Sequence, residues 1–263
     1  EEKLAGALDM IANGILENPK VDAAMGLHIT VGGGDECKPG VLSYRSGDAT
    51  YSGDCIRITV TGKNAHGSTP QLGVDAISAA AHIILALQEI PAREISMESK
   101  DVVLVGMIQG GSSCNTVSGE CVMEASVRSD SREGRAFLKK RVKEIAQSIA
   151  QAYRAEAEVE YVYGMPGLYC DPQVTKTLSG YLEEMNGKDK VVQMYDMSGT
   201  EDFTMVAEQV PSAFFMLGVG SVAEGYHCGA HHPAMILDEN ALPVGTAAYC
   251  CTAMRFLEEN AKA

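Results

Sequence analysis

The spacing of apolar and polar positions predicts most of the elements of this chain. Leu4, Leu8, Ile11 and Ile15 recur at helical spacing, and the pattern stops at Asn18-Pro19. Residues 21–31 read as a strand ending in Gly32-Gly33-Gly34, and residues 35–53 as loop with a short strand near 41–45. Ile56, Ile58 and Val60 alternate as a strand, followed by a turn-rich stretch from Gly62 to Pro70. An apolar helix is predicted over 74–90, stopped by Pro91, then a buried strand over 102–108 broken by Gly110-Gly111. Alternation over 120–128 gives another strand. Phe137, Val142, Ile145, Ile149 and Tyr153 then mark one face of an amphipathic helix whose charge comes largely from Lys139, Lys140, Arg141 and Lys143. Val159, Tyr161 and Tyr163 alternate as the last strand of this stretch.

From Ile56 to Tyr163 the order is therefore β-α-β-β-α-β, the split βαβ arrangement of ferredoxin-like domains. After Pro166 helices (174–185, 203–208, 240–259) alternate with strands (191–195, 213–218). That alternation predicts an α/β layer with a parallel sheet, joined by the helix and strand of residues 3–31. The predicted fold class is α/β: an α/β layer in two parts, interrupted by a ferredoxin-like insertion. The boundaries are 1–53, 54–165 and 166–263.

Composition narrows the function. The 263 residues are 46% hydrophobic and 21% charged, the profile of a folded globular protein. The net charge of −14 opposes nucleic-acid binding, which needs basic patches. No apolar run approaches the ~20 residues of a membrane helix. The eight cysteines form no CxxC pair, and their irregular spacing suits buried thiols in a reducing, cytoplasmic setting. The chain opens on Glu1-Glu2-Lys3 directly before a helical pattern, which leads us to expect a fragment or a processed chain.

Candidate chemistry sits in few places. Adjacent Glu1 and Glu2 read as an acidic helix start or as a cation-binding pair. His28, late in an apolar strand, reads as a core histidine or as a ligand at a strand end. His227, His231 and His232 cluster around Cys228, as a polar loop or as metal ligands. His66 lies in Gly62-Lys63-Asn64-Ala65-His66-Gly67, on a loop of the inserted unit, whereas His82 lies within a helix and reads as structural. Asn115, Arg128, Glu201 and Asp202 have routine structural readings when taken singly.

Taken together, EE at the start, GLHITV, GKNAHGSTPQLGVDAISAAAHIILALQ, the 115–128 strand, SGTEDF, VPSAFFMLG and HHPAMILDENAL stand in one order over nearly the whole chain. In these stretches the chain resembles the amidohydrolase branch of the aminoacylase/carboxypeptidase family of two-metal peptidases, specifically its C-terminal two-thirds. Hippurate hydrolases, indole-acetyl amino acid hydrolases and N-acetyl-diaminopimelate deacetylases are members; GKNAHGSTP and SGTEDF are the most specific matches. The resemblance implies metal-dependent hydrolysis of the amide bond of N-acyl amino acids. By it, Glu1 is the general base, and Glu2, His28 and His231 are metal ligands. His66 meets the substrate carbonyl, in relatives often across a dimer interface. Asn115 and Arg128 hold the substrate's polar end, and Glu201 and Asp202 line the site. It further implies that the α/β layer is the catalytic one, incomplete in this chain, and that the ferredoxin-like insertion is its lid and dimerisation domain. Two divalent ions (Zn, Mn, Ni or Co), a homodimer through that lid, and a small-molecule amide as partner are implied with it.

One departure stands out. Members carry a His-x-Cys-Gly-His-Asp type motif ahead of the Glu pair, and none occurs in this sequence. The chain alone is therefore expected to bind one ion or none and to be weakly active or inactive. The competing readings are a non-enzymatic dimerisation or ligand-binding module, and a di-metal exopeptidase acting on peptides.

Overall fold

A computed structural model describes residues 6–194 and 199–261. The chain divides into two compact units, one formed by residues 1–50 with 168–263 and the other by residues 51–167.

The first unit begins with helix α1 (Gly6–Ala12), shorter than the heptad-like spacing predicts. Asn13-Gly14 stops it. Gly14 takes φ 83, its N–H meets Ile11 O at 2.9 Å, and Ile15 N–H reaches back to Met10 O at 3.2 Å. This is a Schellman cap, and it removes Ile15 from the helix. Strands β1 (Ala24–Thr30), β2 (Leu42–Tyr44) and β3 (Gly47–Asp48) follow.

The second unit contains β4 (Ser52–Thr61), β5 (Ala65–His66), α2 (Ala76–Leu87), β6 (Val102–Gly110), β7 (Thr116–Val117), β8 (Glu120–Ser129), α3 (Arg132–Ala152) and β9 (Glu156–Met165). Its main sheet runs β6-β8-β4-β9, antiparallel throughout, which is the ferredoxin-like order. Both helices start on side-chain caps: Asp75 accepts from the N–H groups of Ile77 and Ser78, and Ser131 from that of Gly134. Alternate residues Ile56, Ile58 and Val60 of β4 and Met123 and Val127 of β8 are buried against Ala79, Ala80, Ile83, Leu138 and Val142 of the helices. Asp54 is buried among them and is held by Arg135 through two bonds of 2.8 and 2.7 Å.

The first unit resumes with β10 (Tyr169–Cys170), α4 (Pro172–Asn186), β11 (Val191–Gln193), α5 (Thr204–Ala207), β12 (Ser212–Gly218) and α6 (Leu242–Asn260). Its principal sheet, β1-β12-β2-β11, is mixed. β1 pairs with β12 and β11 with β2 in parallel, but β2 runs antiparallel to β12. This corrects the expectation of a parallel sheet. A parallel return needs a crossover of a dozen or more residues, usually a helix. The stretch from Val31 to Val41 holds only a 3-10 turn (Asp35–Cys37), so the chain doubles back. Leu42, Phe215 and Leu217 of the sheet pack against Leu178 and Leu182 of α4 and Ala248 of α6. β11 ends at Gln193, short of the expected Tyr195; Tyr195 and Leu4 themselves lie outside the described residues.

Candidate active site

In the first unit the carboxyl end of β1 opens into a cleft of about 520 Å³. Ligands in α/β sheets collect at such strand ends. Among its lining residues are His28, Thr30, Glu36, Cys37, Glu201 and His231, so three of the residues singled out from the sequence share one cavity. Two features bring them there. Thr30 follows His28 by two residues and so lies on the same face of the strand. Gly32, at φ 77, then lets the loop bearing His231 approach: a Cβ at Gly32 would stand 3.0 Å from Gly229 N and 3.1 Å from Cys228 C. His227 and His232 are not among the lining residues; the His232 ring instead accepts the Ala234 N–H at 3.1 Å.

His28 is half-buried, and its Nδ1 lies 2.7 Å from Ile29 O. A carbonyl only accepts, so Nδ1 carries the proton and Nε2 keeps its lone pair. That is the form of a metal-ligating histidine, whose other nitrogen commonly donates to a backbone carbonyl. His231 is exposed and adopts φ 67, a left-handed conformation uncommon for a residue with a Cβ. Such strain gathers at functional sites. Burial pushes the Cys37 thiol above its ordinary value, against the lowering effect of the Thr30 hydroxyl 3.2 Å away. Cys37 therefore stays a neutral thiol near pH 7. Glu201 accepts the Phe203 N–H at 3.1 Å, and Asp202 accepts the Ala7 N–H at the start of α1 at 3.0 Å. Asp202 thus ties α5 to α1.

Among the described residues no three His, Cys, Asp or Glu side chains gather closely enough to hold a metal ion. The donor chemistry of His28 and His231 fits a ligand role, but these residues do not complete a dinuclear centre. Glu1 and Glu2 lie outside the described residues.

In the second unit His66 and Asn115 come together. β5 pairs with β7, setting His66 opposite Thr116, and the Gly67 N–H donates to Asn115 O at 2.7 Å. Both residues are exposed. Arg128 is not part of that patch. It lies near the far end of β8, eight residues beyond Glu120, a strand distance of roughly 26 Å. Thr30, Glu36 and Cys37 escaped the reading of the sequence. The i, i+2 spacing of Thr30 from His28 was a usable signal; nothing in the sequence marks Glu36.

Residues 54–154 match the peptidase dimerisation domain of the M20 family. Over 84% of its length the chain is 33% identical to an uncharacterised hydrolase of Sinorhizobium fredii, covering 54% of that protein. Over 98% of its length it is 30% identical to N-acetylcysteine deacetylase of Bacillus subtilis, covering 64% of it. Among solved structures, a dinuclear metal-binding peptidase of the M20 family from Bacillus subtilis gives a TM-score of 0.77 at 27% identity, over 98% of this chain and 63% of that one. The chain is thus a relative of the M20 peptidases, as its motifs imply. It spans 54% to 64% of the length of the curated relatives it matches.

Proposed function

We propose that this chain forms part of a metal-dependent amidohydrolase that cleaves the amide bond of N-acyl amino acids. The observation that carries the reading is the shared cleft of His28, Glu201 and His231 at the carboxyl end of β1, with His28 held in the ligand tautomer. Divalent ions in such a site lower the pKa of a bound water and polarise the amide carbonyl. His28 and His231 would supply two of the ligands, and the remaining ligands would come from outside the described residues, Glu2 among them. Glu1 would take the water's proton and pass it to the leaving amine. His66 would donate to the carbonyl oxygen as it becomes an oxyanion, an interaction worth roughly 3–4 kcal/mol at comparable donors. Asn115 would hold the substrate's polar end. Arg128, far along β8 from Asn115, would serve a separate contact.

The partner would be a second copy, through the unit of residues 51–167. β6 carries no charged side chain from Val102 to Gly110 and exposes Val102, Leu104 and Ile108, whereas the opposite edge strand β9 carries Glu156, Glu158 and Glu160. An uncharged edge invites pairing and an acidic one resists it.

The test is hydrolysis of N-acetyl amino acids with added Mn or Zn, by this chain and by a form extended upstream of Glu1. The reading expects turnover from the longer form, abolished by His28→Ala. Equal turnover by the two forms would refute the need for further ligands, and full activity of His28→Ala would refute the site. Dipeptide substrates, run in parallel, separate deacylation from exopeptidase action.

A further inference from the structure

We propose that the backbone N–H of Ser68 fixes His66 as the tautomer protonated on Nε2, so that the free edge of its ring is a hydrogen-bond donor for a carbonyl or carboxylate oxygen. The Ser68 amide nitrogen lies 3.2 Å from His66 Nδ1, and an amide N–H can only donate. The Ser68 hydroxyl, 2.8 Å from the same ring nitrogen, could play either part; the amide decides between them. Nδ1 is then the acceptor, and a neutral imidazole must carry its proton on Nε2.

The loop is held for this purpose at several points. The N–H of Thr69 donates to His66 O at 2.9 Å, and Gly67 N–H to Asn115 O at 2.7 Å. Gly67 has no room for a side chain, because a Cβ would stand 2.7 Å from Asn115 O. Asn115 repeats the arrangement: the Ser113 hydroxyl donates to its Oδ1 at 2.5 Å. At both residues a serine two positions away engages the acceptor atom and leaves the donor. A surface offering donors suits a ligand that only accepts, namely an amide carbonyl, the oxyanion formed from it, or a carboxylate. Ser68 is in this sense a positioning residue. The purpose, though not the tautomer, rests on the reading of His66 as substrate-facing.

The experiment is long-range 1H–15N correlation of the imidazole rings in the 15N-labelled full chain, above the imidazolium titration. His66→Gln identifies the His66 signals. The Nε2–H pattern is expected in the wild type and in Ser68→Ala, which keeps the amide. A shift towards the Nδ1–H form is expected in Ser68→Pro, which removes it. An Nδ1–H ring in the wild type overturns the proposal. So does an unchanged ring in a folded Ser68→Pro, or a shift in Ser68→Ala. Should Ser68→Pro fail to fold, the other two spectra still decide. The position of a ring proton is independent of turnover, so the hydrolytic reading fails separately, by undiminished hydrolysis in a His66→Ala form of the longer chain.

Discussion

Replacing His231 by glycine and, separately, by alanine separates what its backbone does from what its ring does. His231 takes φ 67 and is exposed, so its ring adds little buried contact. The left-handed conformation costs a residue with a Cβ roughly 1–2 kcal/mol, and glycine almost none of it. Glycine gives back about 0.5–1 kcal/mol through the greater freedom of the unfolded chain. The balance favours His231→Gly over His231→Ala by about 0.5–1 kcal/mol, which for a unit of this size is roughly 2 °C in Tm. Calorimetry of the two variants reads the difference directly. Both should lose the zinc affinity that isothermal titration measures on the metal-binding form, since both lack the imidazole. An alanine variant as stable as the glycine one would refute the claim that the loop imposes the conformation. Retained zinc affinity in both would refute the ligand role while leaving the backbone result intact.

Four other outcomes follow from particular contacts. Gly32→Ala should destabilise the first unit by more than about 1 kcal/mol, read by urea denaturation, because it meets both a positive φ and the backbone of Cys228-Gly229. Asp54→Asn should cost about 2–4 kcal/mol in the same assay: the carboxylate is 1% exposed while Arg135 and Lys139 are 19% and 33% exposed, so the stranded cations recover some hydration. Burial pushes the Cys170 thiol from 9.0 to about 12. The unfolded chain therefore releases this proton first, the contribution is intact below about pH 9 and is lost as pH rises towards 12, and Cys170→Ala should flatten that alkaline loss in pH-dependent denaturation. Leu104→Lys should shift the molecular mass found by light scattering from dimer to monomer, whereas Glu158→Gln should leave it unchanged.

Periodicity showed the ferredoxin-like unit almost completely, because its sheet buries one face and its helices one stripe, and alternation records that directly. The six main elements of that unit, β4, α2, β6, β8, α3 and β9, follow from Ile56, Met123, Val142 and their neighbours. Three things were not legible. The stop of α1 at Ala12 depends on Gly14 taking a left-handed turn, and Ile15 continues the apolar spacing past it. The direction of β2 depends on how short its connection to β1 is, which alternation of helix and strand does not register. The membership of the cleft depends on loops meeting in space: His231 enters it and His227, four residues earlier, does not.

His28 and His66 show why residue type alone could not assign the chemistry. The same imidazole can present a lone pair or a proton, and the neighbour on its other nitrogen selects which. At His28 a carbonyl, that of Ile29, accepts the hydrogen bond from Nδ1 and leaves Nε2 with its lone pair, the form a metal-ligating histidine takes. At His66 an amide, that of Ser68, fills Nδ1 and leaves Nε2 to donate. A cation cannot be ligated by a protonated nitrogen, and an oxyanion gains nothing from a lone pair. The two rings are therefore not interchangeable for either task, although each is only a His in the sequence. The partners that set the tautomers therefore decide what each ring can offer as much as the rings themselves do.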